Sequence, residues 1–226
     1  MIPMRGISLL LLAGFLGGCS SSLPDYAAPK GQLVDGNELD DSDVIAYRTL
    51  TRDDFKGTEP PPEFQKYRDR VGAASCVRTT AAPETRLSVT ETRDASGKSS
   101  FGAHIEDLRF LALLDRNCSW WNPDFTAASA SYVLEHEQIH FAIHEVVTRR
   151  LNGSTRGLVG ERFRGSSSDE VQRLANETIE RALRKTLEET LRRNRKFDED
   201  TSLGYKPEKQ KQWLARLTSE LAETKP

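Results

Sequence analysis

The chain has 226 residues, 37% hydrophobic and 29% charged, with 32 basic side chains against 34 acidic ones. That balance describes a water-soluble protein of one domain, and it excludes a polytopic membrane protein, because the chain has a single short apolar run. A formal net charge of −2 gives no general attraction to phosphates, so no nucleic-acid partner is expected.

The apolar run comes first. Arg5 precedes Ile7–Leu16, which is too short to cross a hydrocarbon core of roughly 30 Å as a helix and fits the core of a secretory signal. It ends in Leu16-Gly17-Gly18-Cys19, which resembles a bacterial lipobox. Residues 1–19 are therefore expected to be a lipoprotein signal peptide, with Cys19 the lipidated residue. Ser20 stands where an inner-membrane retention signal usually has Asp, so the expected address is the outer membrane, facing the periplasm. Residues 20–43, rich in Ser, Pro, Gly and Asp, predict a flexible tether, and residues 44–224 a single domain. Cys76 and Cys118 are then an even pair in an oxidising compartment, which predicts a disulfide.

In chain order, Val44–Thr51 predicts a strand, and Pro60-Pro61-Pro62 forbids a helix or central strand after it. Gly72–Thr80 and Leu87–Thr92 are short strands, and Asp94–Lys98 is a turn. Phe101, Ala103 and Ile105 alternate with polar neighbours in a further strand that is allowed to run on to Leu114. The period then changes. From Thr126 to Leu151, Val133, Phe141, Val147 and Leu151 recur at helical spacing, with Asp124 or Thr126 as cap and Asn152-Gly153 as stop. Gly153–Ser168 predicts a mobile loop. A long helix follows from Asp169 to Arg195, with Val171, Leu174, Ile179, Leu183, Leu187 and Leu191 as its apolar stripe, and a last helix covers Glu208–Leu221. The expected fold class is α+β: a small antiparallel sheet in the N-terminal half, then a zincin-like helix and two more helices.

Three of the four histidines fall in His136–His144, and His136-Glu137-Gln138-Ile139-His140 is an H-E-x-x-H string inside a predicted helix. Residues four apart share a helix face, so both imidazoles can reach one zinc ion. Zinc lowers the pKa of a water it holds toward about 7, and the glutamate beside the first histidine is placed to take the proton. His136 and His140 are thus candidate ligands and Glu137 the candidate general base. A hydrolytic zinc needs a third protein ligand. His144 does not serve, because ligands at three successive turns of a straight helix span about 11–12 Å. Glu145 points about 140° away from His140 around the helix. The remaining candidates are Glu177 and Glu180 on the charged helix, Asp198, Asp200 and Tyr205 beyond it, and His104, with His144 and Glu145 in supporting positions.

The strings Leu50–Gly57 (LTRDDFKG), Ser119-Trp120, His136–Glu145 (HEQIHFAIHE) and Phe197–Trp213 (FDEDTSLGYKPEKQKQW) come in the order seen in a bacterial secreted zinc-dependent protease family long catalogued as a domain of unknown function. The chain resembles that family over roughly residues 48–216. The resemblance implies a zinc peptidase fold and zinc as cofactor. It also shows two departures: Leu203 stands where the family pattern has histidine before glycine, and Ala142 replaces an acidic residue. If that histidine is the family's third ligand, then Asp198, Asp200 or Tyr205 substitutes here, or the metal site is weak or lost. The expected function is a lipid-anchored periplasmic metallopeptidase acting on a peptide or protein of the cell envelope. The alternative is a non-catalytic envelope lipoprotein that keeps the scaffold.

Overall fold

The computed structural model describes residues 43–125 and 127–224, so the expected signal peptide, Cys19 and nearly all of the expected tether lie outside the described residues. Six strands and three helices follow one another as β1 (Val44–Ala46), β2 (Ala73–Ala81), β3 (Arg86–Arg93), β4 (Ser99–Asp107), β5 (Phe110–Trp121), α1 (Ala127–Thr155), β6 (Arg162–Gly165), α2 (Ser168–Thr201) and α3 (Pro207–Glu223). This is the expected α+β class. None of the described helices is long and apolar enough to cross a membrane.

The strands form two antiparallel sheets of three, ordered β1-β5-β2 and β3-β4-β6. The expectation of one sheet needs correcting at three places. The strand from Phe101 does not run on to Leu114: residues 108 and 109 separate β4 from β5, and the two join different sheets. The first strand stops at Ala46, because Tyr47 and Leu50 turn into the core and Arg48 anchors to Asp54. The Gly153–Ser168 segment is not a loop throughout. It contains a 3-10 turn at Arg156–Leu158 and the edge strand β6, paired with β4.

A disulfide joins Cys76 to Cys118 across β2 and β5, with Cα atoms 5.6 Å apart. It staples an irregular stretch, since β2 moves from Ala74, opposite Trp120, to Cys76, opposite Asp115. Residues 116–119 of β5 therefore bulge outward while a single β2 residue, Ser75, faces them. The bulge receives the LTRDDFKG segment. The Gly57 N–H donates to the Ser119 carbonyl at 2.8 Å, and a Cβ on Gly57 would lie 2.9 Å from that oxygen, so only glycine fits.

Helix α1 is the centre of the molecule and packs on β2 and β5, on α2 and on α3. Ile139, Phe141, Ala142, Ile143 and Val146 are all fully buried, and His136, Glu137, Gln138 and Glu145 around them are buried too, so the middle of the helix is enclosed nearly all round. It runs four residues past the expected stop at Leu151. The Asn152 amide is used elsewhere, accepting from Phe110 N and donating to Phe110 O, and so clasps the start of β5. Helix α2 is capped by the Ser167 hydroxyl, which accepts from Glu170 N. It continues six residues past Arg195 to end in left-handed Ser202, Leu203 and Gly204. Its buried face is Val171, Ala175, Thr186, Thr190, Phe197 and Thr201, whereas Leu187 and Leu191, expected in the core, are more than half exposed.

Candidate metal centre

The two histidines of the motif sit on the α1 face turned toward the C-terminal part of α2. There Asp198, on the stretch of helix that the charged sequence Lys196–Asp200 disguises, meets both. Asp198 Oδ1 lies 3.1 Å from His140 Nε2 and 3.5 Å from His136 Nε2. The three donor atoms all fall within 4.8 Å of one another, a group able to hold a metal ion.

The hydrogen bonds behind the imidazoles fix which nitrogen faces Asp198. Gln210 of α3 donates its Nε2 to Tyr132 O and to Glu135 Oε1, which leaves its Oε1 toward His136 Nδ1 at 3.0 Å. Asn194 of α2 donates its Nδ2 to Thr190 O and presents its Oδ1 to His140 Nδ1 at 2.7 Å. An amide oxygen can only accept, so both Nδ1 atoms carry protons, and on each ring it is Nε2 that takes up either a proton or a metal ligand bond beside Asp198. This is how ligating histidines are commonly oriented. Donor atoms on one tetrahedral ion at about 2.0–2.1 Å stand about 3.3 Å apart, close to the two separations measured here. The residues fit a divalent metal.

The electrostatics agree. Burial alone would depress the His140 imidazole, but the Asp198 carboxylate, the Glu137 charge and the Asn194 hydrogen bond raise it to about 9. Burial would likewise raise the Asp198 carboxyl, yet the two imidazoles hold it well below the ordinary carboxylate range. The pocket thus favours positive charge between these groups. Phe197, fully buried, stands against both rings, with centroids 4.5 Å from His136 and 4.9 Å from His140, and Trp213 packs behind it.

Glu137 is buried and lines the same cavity, its Oε2 accepting at 2.8 Å from the N–H of Ser75, the β2 residue opposite the β5 bulge. Gln138 points to the other side, where its Oε1 accepts from Leu50 N and its Nε2 donates to Arg48 O. The motif helix is thereby tied to the LTRDDFKG segment. Over His136, Gly204 takes φ +90°, and the Tyr132 hydroxyl donates to its carbonyl at 2.6 Å.

The other candidates lie apart from the group. Glu177 pairs with Arg173 at the surface, and Glu180 is exposed. His104 sits on β4 with Ser88 and Glu106. Asp200 accepts from Trp213 Nε1, and Tyr205 donates to Arg70 O at the cavity rim. Glu145 is buried against Arg149, and burial raises its carboxyl. His144 lines the cavity one turn beyond His140, and burial followed by the His140 charge lowers its imidazole to about 3. Leu203 faces the cavity as well. The supporting residues Asn194, Gln210 and Phe197 were not among the expected site residues. Asn194 is four residues before Asp198 on one helix face, which a longer α2 would have revealed.

Comparisons with protein-family models, with curated proteins and with solved structures find no match to this chain. The functional reading therefore rests on the geometry.

Proposed function

We propose that the protein is a zinc-dependent hydrolase of peptide bonds, related to the secreted zinc-protease family it resembles and held at the bacterial cell envelope by lipid on Cys19. The observation that carries this reading is the Asp198 carboxylate set against both Nε2 atoms of an H-E-x-x-H helix whose Nδ1 atoms are already committed. Two imidazoles and one carboxylate suit zinc and leave a position open for reaction. Zinc bound there supplies a Lewis acid that polarises a carbonyl and makes water a nucleophile near neutral pH.

The chain's own residues supply the rest. His136, His140 and Asp198 hold the ion, and Asn194 and Gln210 hold the rings in the ligating tautomer. Glu137 takes the proton from the attacking water and returns it to the leaving amine. Its carboxylate is oriented by Ser75 N–H, which keeps one oxygen occupied and leaves the other for the proton. Asp198 also meets the question raised by Leu203: a carboxylate six residues before that Gly204 supplies the third donor.

The test is hydrolysis of an unfolded protein such as casein by the zinc-loaded chain and by Glu137→Gln, with bound zinc measured in both. The amide can still accept from Ser75 N–H, so the variant should fold and keep zinc while losing at least about 100-fold in rate. Equal rates would overturn the general-base role, and a wild-type chain that binds zinc without hydrolysing would favour the non-catalytic scaffold.

A further inference from the structure

The cavity, about 410 Å³, extends past the histidine pair along β2 and α1. Contacts set its direction: Ser75 N–H bonds to Glu137, and further along the same two elements Thr79 meets Thr148 at 2.9 Å. Between those two contacts the cavity wall is made of Val77 from β2, His144 from α1 and Leu191 from α2. Two features of this wall have no use within the described residues. His144 Nδ1 and Ser75 Oγ are both buried side-chain atoms without a hydrogen-bond partner among them. A buried polar atom left without a hydrogen bond is costly, so such atoms call for an occupant. Leu191, which lines the same cavity, is 55% exposed although apolar.

Resting on the hydrolase reading above, we propose that His144 and Ser75 form a subsite for the substrate's backbone, hydrogen-bonding a peptide group on the side of the scissile bond that lies beyond His140. The chemistry matches a peptide: its N–H and C=O need one acceptor and one donor, which a neutral imidazole and a hydroxyl supply. Val77 and Leu191 flank these groups with apolar surface, so the residue bound there carries an aliphatic or aromatic side chain, which covers Leu191. His144 is then a substrate-contacting residue. Its place one turn past His140, which keeps it from sharing an ion with His136, brings its ring to the bound chain.

The test uses two probes on the zinc-loaded full chain: acetohydroxamate, which engages only the metal, and a leucine-containing dipeptidyl hydroxamate, which also reaches past His140. His144→Phe keeps the ring volume and removes both nitrogens, while His144→Gln keeps a donor and an acceptor. His144→Phe is expected to bind acetohydroxamate and zinc as the wild type does and to bind the dipeptidyl probe roughly ten-fold more weakly, the loss of about one hydrogen bond. His144→Gln is expected to recover part of that loss, and the His144 ring signals in an NMR spectrum should move only with the dipeptidyl probe. Unchanged dipeptidyl affinity in folded His144→Phe, with acetohydroxamate still bound, overturns the subsite and leaves the metal reading intact. If acetohydroxamate fails to bind wild-type protein, the metal reading itself falls, and the subsite with it.

Discussion

Helices α1 and α2 build the same centre in opposite ways. Helix α1 is buried almost all round in its middle, and its two candidate ligands, His136 and His140, stand on a face fixed by sheet, α2 and α3 together. Helix α2 is a charged helix with one narrow buried face, Val171 and Ala175 near its start, Thr186 and Thr190 in its middle and Phe197 and Thr201 near its end, while Leu187 and Leu191 are left in solvent. The rigid helix supplies the paired imidazoles. The exposed one supplies the counter-charge, Asp198, together with Asn194, which orients one of them. A site split in this way depends on how firmly the end of α2 is held, and Phe197 is the group that holds it.

That dependence sets the largest expected effect. Phe197→Ala should cost about 3–5 kcal/mol of unfolding free energy, as for other fully buried aromatic side chains, and should weaken metal binding as well, because the rings of His136 and His140 lose their shared support. Denaturant unfolding with and without zinc measures both. On α1, Ile143→Ala should cost about 2–5 kcal/mol, whereas Leu187→Ala on the exposed face of α2 should stay within about 0.5 kcal/mol. A large loss at Leu187 would contradict the one-sided picture of α2.

The stapled bulge is expected to come next. Replacing Cys76 and Cys118 together by Ala should cost about 3–4 kcal/mol on the chain-entropy estimate for a loop of this length. It should also lower activity, since Ser75, next to Cys76, orients Glu137. The supporting amides rank below that. Asn194→Leu and Gln210→Leu should each weaken zinc binding about 10–100-fold with little change in fold, read by competition with a chelating dye.

The smallest effect concerns acid. Burial pushes the Asp54 carboxyl up, but hydrogen bonds from Arg48 and Thr51 and the Arg48 charge hold it below its ordinary value. A carboxyl lowered on folding contributes stability that is fully present above about pH 3.9 and is lost as pH falls through its folded pKa. Asp54→Asn should therefore lower stability near neutral pH and flatten its decline in acid. Thermal melts between pH 7 and pH 2.5 show whether it does.

The contrast between the helices also explains what was legible in the sequence. Core spacing and the H-E-x-x-H string locate α1, because a buried helix writes its periodicity in apolar residues such as Val133, Phe141 and Val147. The end of α2 is written in Lys196, Asp198, Glu199 and Asp200, with Phe197 the one apolar residue among them, so the sequence pattern places the helix end at Arg195 and leaves Asp198 as one candidate among several. Alternation locates β3 and β4 but not their partners, since period two is the same whichever strand lies alongside. The edge strand β6 is four residues in a Gly- and Ser-rich stretch, too short for any pattern. Leu187 and Leu191 extend the leucine stripe of α2, yet both are more than half exposed, Leu191 at the rim of the cavity.

The central claim is that Asp198, carried by the exposed helix, completes the metal centre begun by the buried one. The direct measurement is zinc stoichiometry and affinity in wild-type protein and in Asp198→Ala, after each is freed of metal and reloaded. One tightly held zinc per chain in the wild type, and an affinity at least about 100-fold weaker in folded Asp198→Ala, is the predicted result. Equal affinity in the two, or no stoichiometric zinc in the wild type, would contradict it.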